Sequence, residues 1–250
     1  MRKLFAAAAL IAVTSASASA ADLGPRYTKA PVMAPVWSWT GFYIGGHVGG
    51  GWSDGDATAT VSGFGPFDTA RLGGNGSGVV GGGQIGYNWQ FAPNWVLGIE
   101  GDISGTGIRK SSSAPITLGG GPIGAAFTHE ADRNIDWMAS VRGRFGYAAD
   151  RWLVYVTGGA AWADINYRTN LTGFGLFNSG NFNTTKSGWT VGGGAEYAFA
   201  NNWTARLEYL YYDFGSEAVS NVSVVAPPLA YNTTFSTKVN VVRAGVNYKF

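Results

Sequence analysis

Apolar and polar residues alternate without a break over the last nine residues, Val242 to Phe250. The same period of two returns in seven earlier stretches. It is the spacing that puts successive side chains on opposite faces of a β-strand. The first strand is predicted over 41–53, with Phe42, Ile44, Val48 and Trp52 on one face and Tyr43, His47 and Ser53 on the other. The second, 78–91, sets Val79, Ile85, Tyr87, Trp89 and Phe91 against Gln84, Asn88 and Gln90. The third, 95–108, sets Trp95, Leu97, Ile99 and Ile103 against Glu100, Asp102 and Ser104. The fourth, 134–148, sets Ile135, Trp137, Ala139, Val141, Phe145 and Tyr147 against Asp136, Ser140, Arg142 and Arg144. In the fifth, 152–166, Trp152, Val154, Val156 and Trp162 form the apolar face. The sixth, 187–200, sets Trp189, Val191, Ala195, Tyr197 and Phe199 against Thr190 and Glu196. The seventh, 203–214, sets Trp203, Ala205, Leu207, Tyr209 and Tyr211 against Thr204, Arg206 and Glu208. The eighth, 236–250, carries Arg243, Asn247 and Lys249 opposite its apolar set.

The connections alternate in length. Two or three residues turn the chain near Pro93, Asp150 and Asn201, whereas 54–77, 105–133, 167–186 and 215–235 are long. Short turns on one side and long loops on the other mark a barrel of the outer-membrane type. Trp or Tyr stands at strand ends on the apolar face, at Trp52, Trp89, Trp95, Tyr147, Trp152, Trp162, Trp203 and Tyr248. Such positions form the aromatic belts of membrane-spanning sheets. The expected fold is all-β: an eight-stranded antiparallel transmembrane β-barrel with short periplasmic turns and four long external loops. A water-soluble sandwich, with the apolar face as core, satisfies the same alternation and is the competing fold.

Composition narrows the choice. Charged residues are 13% of the chain, about half the usual share, while aromatics reach 14% and glycine counts 39. That balance suits a sheet facing lipid and not a disordered chain. Met1-Arg2-Lys3, an apolar run over Leu4 to Val13 and Ala18-Ser19-Ala20 form a secretory signal, so 1–20 is expected to be removed. Residues 21–40, with Pro25, Pro31 and Pro35, read as an extended leader, and 41–250 as the barrel. Without Arg2 and Lys3 the 17 basic residues become 15, equal to the 15 acidic ones. No basic field remains to draw nucleic acid. With no cysteine, an exported chain must be held by its hydrogen-bonded framework.

Several stretches together resemble a known family. Trp39 to Trp52 (WTGFYIGGHVGGGW), Gly81 to Gln90 (GGGQIGYNWQ), Tyr155 to Trp162 (YVTGGAAW), Gly188 to Tyr197 (GWTVGGGAEY) and the ending VRAGVNYKF are similar to strands of small alphaproteobacterial outer-membrane barrels. These are labelled outer-membrane immunogenic, haemin-binding or porin-family OmpA-like proteins. The segment Ala21 to Pro25 (ADLGP) fits their leader. The resemblance implies an eight-stranded barrel in the Gram-negative outer membrane that supports the envelope and meets host surfaces. It also implies that the aromatic carboxy-terminus, Tyr248 and Phe250, is the signal read by the β-barrel assembly machinery. No peptidoglycan-binding domain is expected after the barrel.

An eight-stranded barrel is just wide enough for its own side chains. Ten charged residues are expected to face inward: Glu100, Asp102, Asp136, Arg142, Arg144, Glu196, Arg206, Glu208, Arg243 and Lys249. Five acids and five bases in a narrow lumen would pair, because an unpaired buried charge is costly. The alternative is a thin polar channel lined by the same groups. Chemistry at the two histidines is poorly supported. His47 is expected on the inward face and His129 in a long loop, neither beside a Ser/Asp constellation. A haem-ligand role for His129, near Phe127 and Tyr231, is the weak cofactor candidate. No metal-site spacing occurs, and no cofactor is expected. The triglycines at 49–51, 81–83 and 192–194 precede no Lys-Ser/Thr and no helix, so they read as relief for curved strands. The expected function is structural and surface-exposed, without enzymatic activity, in contact with outer-membrane lipid and lipopolysaccharide, and monomeric. A small-solute porin and a haem- or host-surface-binding protein are the alternatives.

Overall fold

The computed structural model describes residues 37–250, apart from 55–56, 63–67, 73–75, 119–124, 174–175 and 223–229. The expected signal at 1–20 and the leader up to residue 36 lie outside the described residues. The strands are β1 (Gly41–Asp54), β2 (Ala57–Ser62), β3 (Asp68–Leu72), β4 (Gly76–Ala92), β5 (Trp95–Leu118), β6 (Ala125–Ala149), β7 (Trp152–Gly173), β8 (Leu176–Ala198), β9 (Trp203–Val222) and β10 (Ala230–Lys249). All pairings are antiparallel, in the order β1-β4-β5-β6-β7-β8-β9-β10, and β1 closes on β10 from Tyr43↔Lys249 to Asp54↔Lys238. Closure removes the exposed edges that an open sheet would leave.

β2 and β3 continue the strands beside them. β1 pairs with β10 at Asp54↔Lys238 and β2 resumes at Ala57↔Phe235, with no slip. In the same way the β1–β4 register, which includes Gly41↔Asn88, is resumed by Ala57↔Leu72 between β2 and β3. The ring therefore has eight strands.

At the short-turn end the strand limits fall within one or two residues of those the alternation predicts. Side-chain and backbone bonds pin these turns. Asn94 Nδ2 donates to the Ala148 carbonyl at 2.8 Å, and Asn202 Nδ2 to that of Lys249 at 2.7 Å. Asp150 takes the left-handed conformation (φ 50°) that the β6–β7 turn requires. At the other end the strands run much further than predicted. β6 has 25 residues and β5 has 24. About 9–11 tilted residues suffice to span a bilayer. The long connections are thus mostly paired hairpin. Their Ser, Thr and Ala residues carry too little hydrophobic contrast to betray the period of two.

Outward positions form an apolar band. On β6 it runs over 137–147 and on β7 over 152–162, eleven residues each, the length a spanning strand needs. Val141, Phe145, Val154 and Val156 are all exposed on it. Aromatic residues close its short-turn margin: Trp95 stacks on Phe145 at 5.1 Å, Trp152 meets Tyr197 at 4.7 Å and Trp203 meets Tyr248 at 5.1 Å. Trp189 and Tyr211, 5.5 Å apart, mark the other margin. A sandwich would bury this face, so the competing fold is excluded.

One irregularity reorganises the interior. Between Ile135 and Trp137 the register of β6 on β7 shifts by one residue. Below the shift Met138, Ser140, Arg142 and Arg144 point inward; above it Ile135 and Arg133 do. A bulge of this kind moves every following side chain to the other face. Two sequence expectations fail here. Ile135 is buried inside at 1% exposure instead of joining the lipid face, and Asp136 sits exposed, accepting from Asn166 Nδ2 at 2.6 Å.

Candidate functional site in the barrel lumen

The lumen is filled in layers. At the short-turn end Trp39, 1% exposed, packs with Val96, Ala148, Leu153, Tyr155 and Ala198. Thus the last residues of the expected leader belong to the barrel. Trp39 N donates to Gln90 Oε1 at 2.9 Å, and Trp37 lies edge-on to Trp39 at 5.7 Å. Lys249, expected in the charge network, is instead half-buried at this rim. Its Nζ donates to the Ser38 carbonyl and lies 4.8 Å from the Trp37 ring centre. The last strand ends too near the mouth for its side chain to reach the central charges.

The central layer holds the other eight predicted charges, four acids and four bases. β5 supplies Glu100 and Asp102, β6 Arg142 and Arg144, β8 Glu196, β9 Arg206 and Glu208, and β10 Arg243. Arg142 grips three carboxylates: Glu100 at 2.5 Å, Asp102 at 2.9 Å and Glu208 at 3.0 Å. Arg243 reaches Asp102 at 3.0 Å and Glu208 at 2.8 Å, and Arg206 reaches Glu100 at 2.5 Å. Arg144 pairs with Glu196 at 2.7 Å, and its guanidinium lies 3.8 Å from the Tyr155 ring centre. None of these side chains is more than 3% exposed. Asp136 is absent from the layer because of the bulge. The loss of Asp136 and Lys249 removes one charge of each sign, so neutrality is kept.

A neutral shell satisfies part of what the ion pairs leave open. Tyr43 Oη donates to Glu100 at 2.7 Å while accepting from Arg144 at 3.0 Å. Ser140 donates to Asp102 at 2.5 Å and Thr204 to Glu196 at 2.5 Å. Arg243 Nη1 lies 3.2 Å from His47 Nε2, which must therefore accept. His47 Nδ1–H then donates to Gln84 Oε1 at 2.6 Å, Gln84 to Asn247 at 2.7 Å, and Asn247 to Glu196 at 2.8 Å. Of this shell Tyr155 escaped the sequence reading, although it stands on the inward period of β7. The shell also needs glycine opposite its larger members. A Cβ on Gly86 would lie 2.3 Å from Tyr43 Oη, and one on Gly194 would lie 2.8 Å from Tyr155 Oη.

The chemistry open to this site is restricted. Each carboxylate is held by arginine, so none is a free base. Although His47 Nε2 lies 2.8 Å from Ser104 Oγ, its Nδ1 is oriented by an amide and not a carboxylate, which is not the geometry of a serine nucleophile system. His129 lies in β6, paired with Ala114 and Leu171, and not in a loop. The hairpin extends past it for the reason given above. Its side chain, like those of Phe127 and Tyr231, lies outside the described residues. Tyr248 and Phe250 face outward at the rim, 5.2 Å apart, and Phe250 is exposed.

Above the ion layer the lumen turns apolar, with Val80, Ile108, Ile135, Met138, Leu210, Val239 and Val241 buried together. A sealed, charge-balanced interior inside an apolar exterior is the inverse of a soluble protein and suits a barrel set in lipid. A family model described as the outer membrane protein beta-barrel domain matches residues 6–250. The chain belongs to this outer-membrane β-barrel family. It is 37% identical to a 31 kDa outer-membrane immunogenic protein of Brucella melitensis, over 97% of this chain and 98% of the relative. It is 33% identical to a 22 kDa outer membrane protein of Rhizobium leguminosarum bv. viciae, over 76% of this chain and 70% of that protein. A 10% identical solved structure, the outer membrane protein OprG from Pseudomonas aeruginosa, aligns with a TM-score of 0.47 over 86% of this chain and 99% of that one. The protein is therefore an outer-membrane barrel of the outer-membrane immunogenic group. The short turns face the periplasm, and the long hairpins face outward.

Proposed function

We propose that this barrel has a structural and surface role in the envelope, with a lumen that does not conduct and no catalytic activity. The observation that supports it is the central ion layer. Four acids and four bases, none more than 3% exposed, fill the cross-section and are crosslinked from five strands. A solute would have to break several buried ion pairs to pass, and each broken pair costs about 3–5 kcal/mol. The apolar layer above and Trp39 below add further barriers. Non-catalysis follows the same logic, since every carboxylate of the central layer is held by arginine. The surface role rests on the hairpins, which run far past the apolar band. The Brucella relative is named for immunogenicity, which fits hairpins of this kind standing clear of the membrane. Tyr248 and Phe250, outward and at the periplasmic rim, suit recognition by the assembly machinery.

The test is single-channel recording in planar bilayers, with heat-modifiable gel mobility as the check that the barrel is folded. Silence is the expected result. Discrete current steps that change in Arg142→Ala or Glu196→Ala would assign transport instead.

A further inference from the structure

The outer lumen holds a cation that the central layer does not use. Arg133 is 6% exposed and points inward above the apolar layer. Its described partners are all neutral: Nη1 donates to the Ser236 carbonyl at 3.0 Å and to Thr237 Oγ1 at 3.1 Å, and Nη2 donates to Ser53 Oγ. The contrast with the centre is sharp, since Arg142, Arg144, Arg206 and Arg243 each hold a carboxylate. A buried charge without a counter-charge is the arrangement proteins avoid.

The surroundings deepen the imbalance. Lys110 stands directly across the β5–β6 pair from Arg133 and is also buried, at 8% exposure. Lys110 has an interaction of its own, and Arg133 is the buried cation whose described partners are all neutral. The neighbouring acids are turned elsewhere. Asp132 accepts from Ser111 at 2.5 Å, Asp54 from Asn240 at 2.9 Å and Asp136 from Asn166. Asp102 lies below Ile108 and Ile135, in the balanced layer.

We propose that Arg133, with the hydroxyls of Ser53 and Thr237, forms a binding site for a small oxyanion of the phosphate type at the outer end of the lumen. Three of the five guanidinium N–H donors are used by described residues, leaving Nε–H and one on Nη2. Those two atoms share an edge of the planar group, the edge that grips two oxygens of one anion. Nε of Arg142, Arg144 and Arg206 is sealed from solvent without a partner. Arg133 Nε has no described partner, and its guanidinium faces hydroxyls and a carbonyl where those three face carboxylates. Ser53 and Thr237 accept from Arg133 through oxygen, and the Ser53 hydroxyl, with no other described partner, keeps its own proton to donate to the anion. Thr237 is steadied by Tyr167, whose Oη lies 3.4 Å from its Oγ1. Closure of the central layer is not needed for this site.

Calorimetric titration of the folded full-length barrel in detergent micelles with inorganic phosphate tests the site. Saturable binding is expected, at least tenfold weaker in Arg133→Gln and partly kept in Arg133→Lys. Heat-modifiable mobility checks that each variant is folded. Should Arg133→Gln not fold, the double variant Ser53→Ala/Thr237→Val serves, with several-fold weaker binding expected. Competition by intact lipopolysaccharide, but not by its phosphate-stripped form, would name a lipid phosphate as the source. Phosphate binding that lipopolysaccharide leaves unchanged would name a free solute. Both results uphold the site. Absence of saturable phosphate binding in the unaltered protein, or undiminished affinity in Arg133→Gln or the double variant, would overturn it.

Discussion

Replacing Arg142 by methionine is the sharpest test of the ion layer. Methionine keeps much of the length and apolar volume of the side chain and removes only the charged fork. Arg142 holds Glu100, Asp102 and Glu208 all at 3.0 Å or less, whereas Arg243 reaches the same three with Glu100 at 3.8 Å. Loss of Arg142 leaves four acids against three bases in a sealed space. Glu208 keeps Arg243 at 2.8 Å, Glu100 keeps Arg206 at 2.5 Å and Asp102 keeps Arg243 at 3.0 Å, so no acid is stripped bare, but one net negative charge stays buried. Removing one partner of a buried ion pair costs about 3–5 kcal/mol. The partial compensation argues for the lower end, about 3 kcal/mol. With a urea slope of about 2 kcal/mol per molar, the unfolding midpoint in lipid vesicles should fall by roughly 1.5 M. Tryptophan fluorescence reads this directly, since ten Trp residues report on the fold. Adding Glu100→Gln restores neutrality. The double variant should then lose less than the sum of the singles, by about 1–3 kcal/mol. A midpoint shift below about 0.5 M, or strict additivity, would refute the claim that the layer is a coupled, desolvated network.

Asp136→Asn, at the exposed bulge, should change stability by no more than about 0.5 kcal/mol in the same urea assay, in contrast with the central acids. Ile103→Arg places a charge on the exposed lipid face opposite Gly83 and Ala139 and should lower vesicle-measured stability by about 2–4 kcal/mol if it lies near the midplane. Gly86→Ala should destabilise by about 1–3 kcal/mol, because the new Cβ would meet Tyr43 Oη at 2.3 Å and the Ile99 carbonyl oxygen at 2.8 Å. Gly50→Ala, with nothing within 4 Å, should be tolerated, and the pair is read by comparing refolding yields and urea midpoints. Trp39→Ala should cost about 3 kcal/mol through lost burial while leaving single-channel recordings silent, because the central layer is untouched.

The parts of this fold that were legible in the sequence are those where hydrophobic contrast is large. Through the membrane the outward residue meets hydrocarbon and the inward one meets ion pairs, so Phe145 and Arg144 differ as strongly as two neighbours can. There the alternation located strands, faces and eight members of the ion layer. Beyond the outer margin both faces meet water or other polar groups. The contrast lapses, and Ser111 to Thr117, Thr169 to Gly173 and Leu176 to Asn183 look like loop although they pair as strand. The neutral shell was half visible. Tyr43, His47, Gln84 and Asn247 stood on the inward period, but no rule of spacing joins residues of β1, β4 and β10 into one chain of donors and acceptors.

The bulge at Asp136 is where local reading had to fail, and the consequence reaches beyond one residue. Extended without a slip, β6 would aim Asp136 into the lumen and Ile135 and Arg133 into lipid. That is the worse arrangement for all three, because Arg133 would face the boundary of the apolar band and Asp136 an apolar layer with no base. The inserted residue reverses the faces. Ile135 completes the layer with Ile108 and Met138, and Arg133 enters the outer lumen opposite Lys110. Thr106 Oγ1 donates to the Ile135 carbonyl at 2.5 Å, satisfying a backbone group at the register shift. The bulge thereby divides the interior into a neutral ionic centre, an apolar collar and a cationic outer end. Deleting Asp136 should return β6 to one continuous period. If phosphate binding survived that deletion in a folded barrel, the bulge would not be what places Arg133.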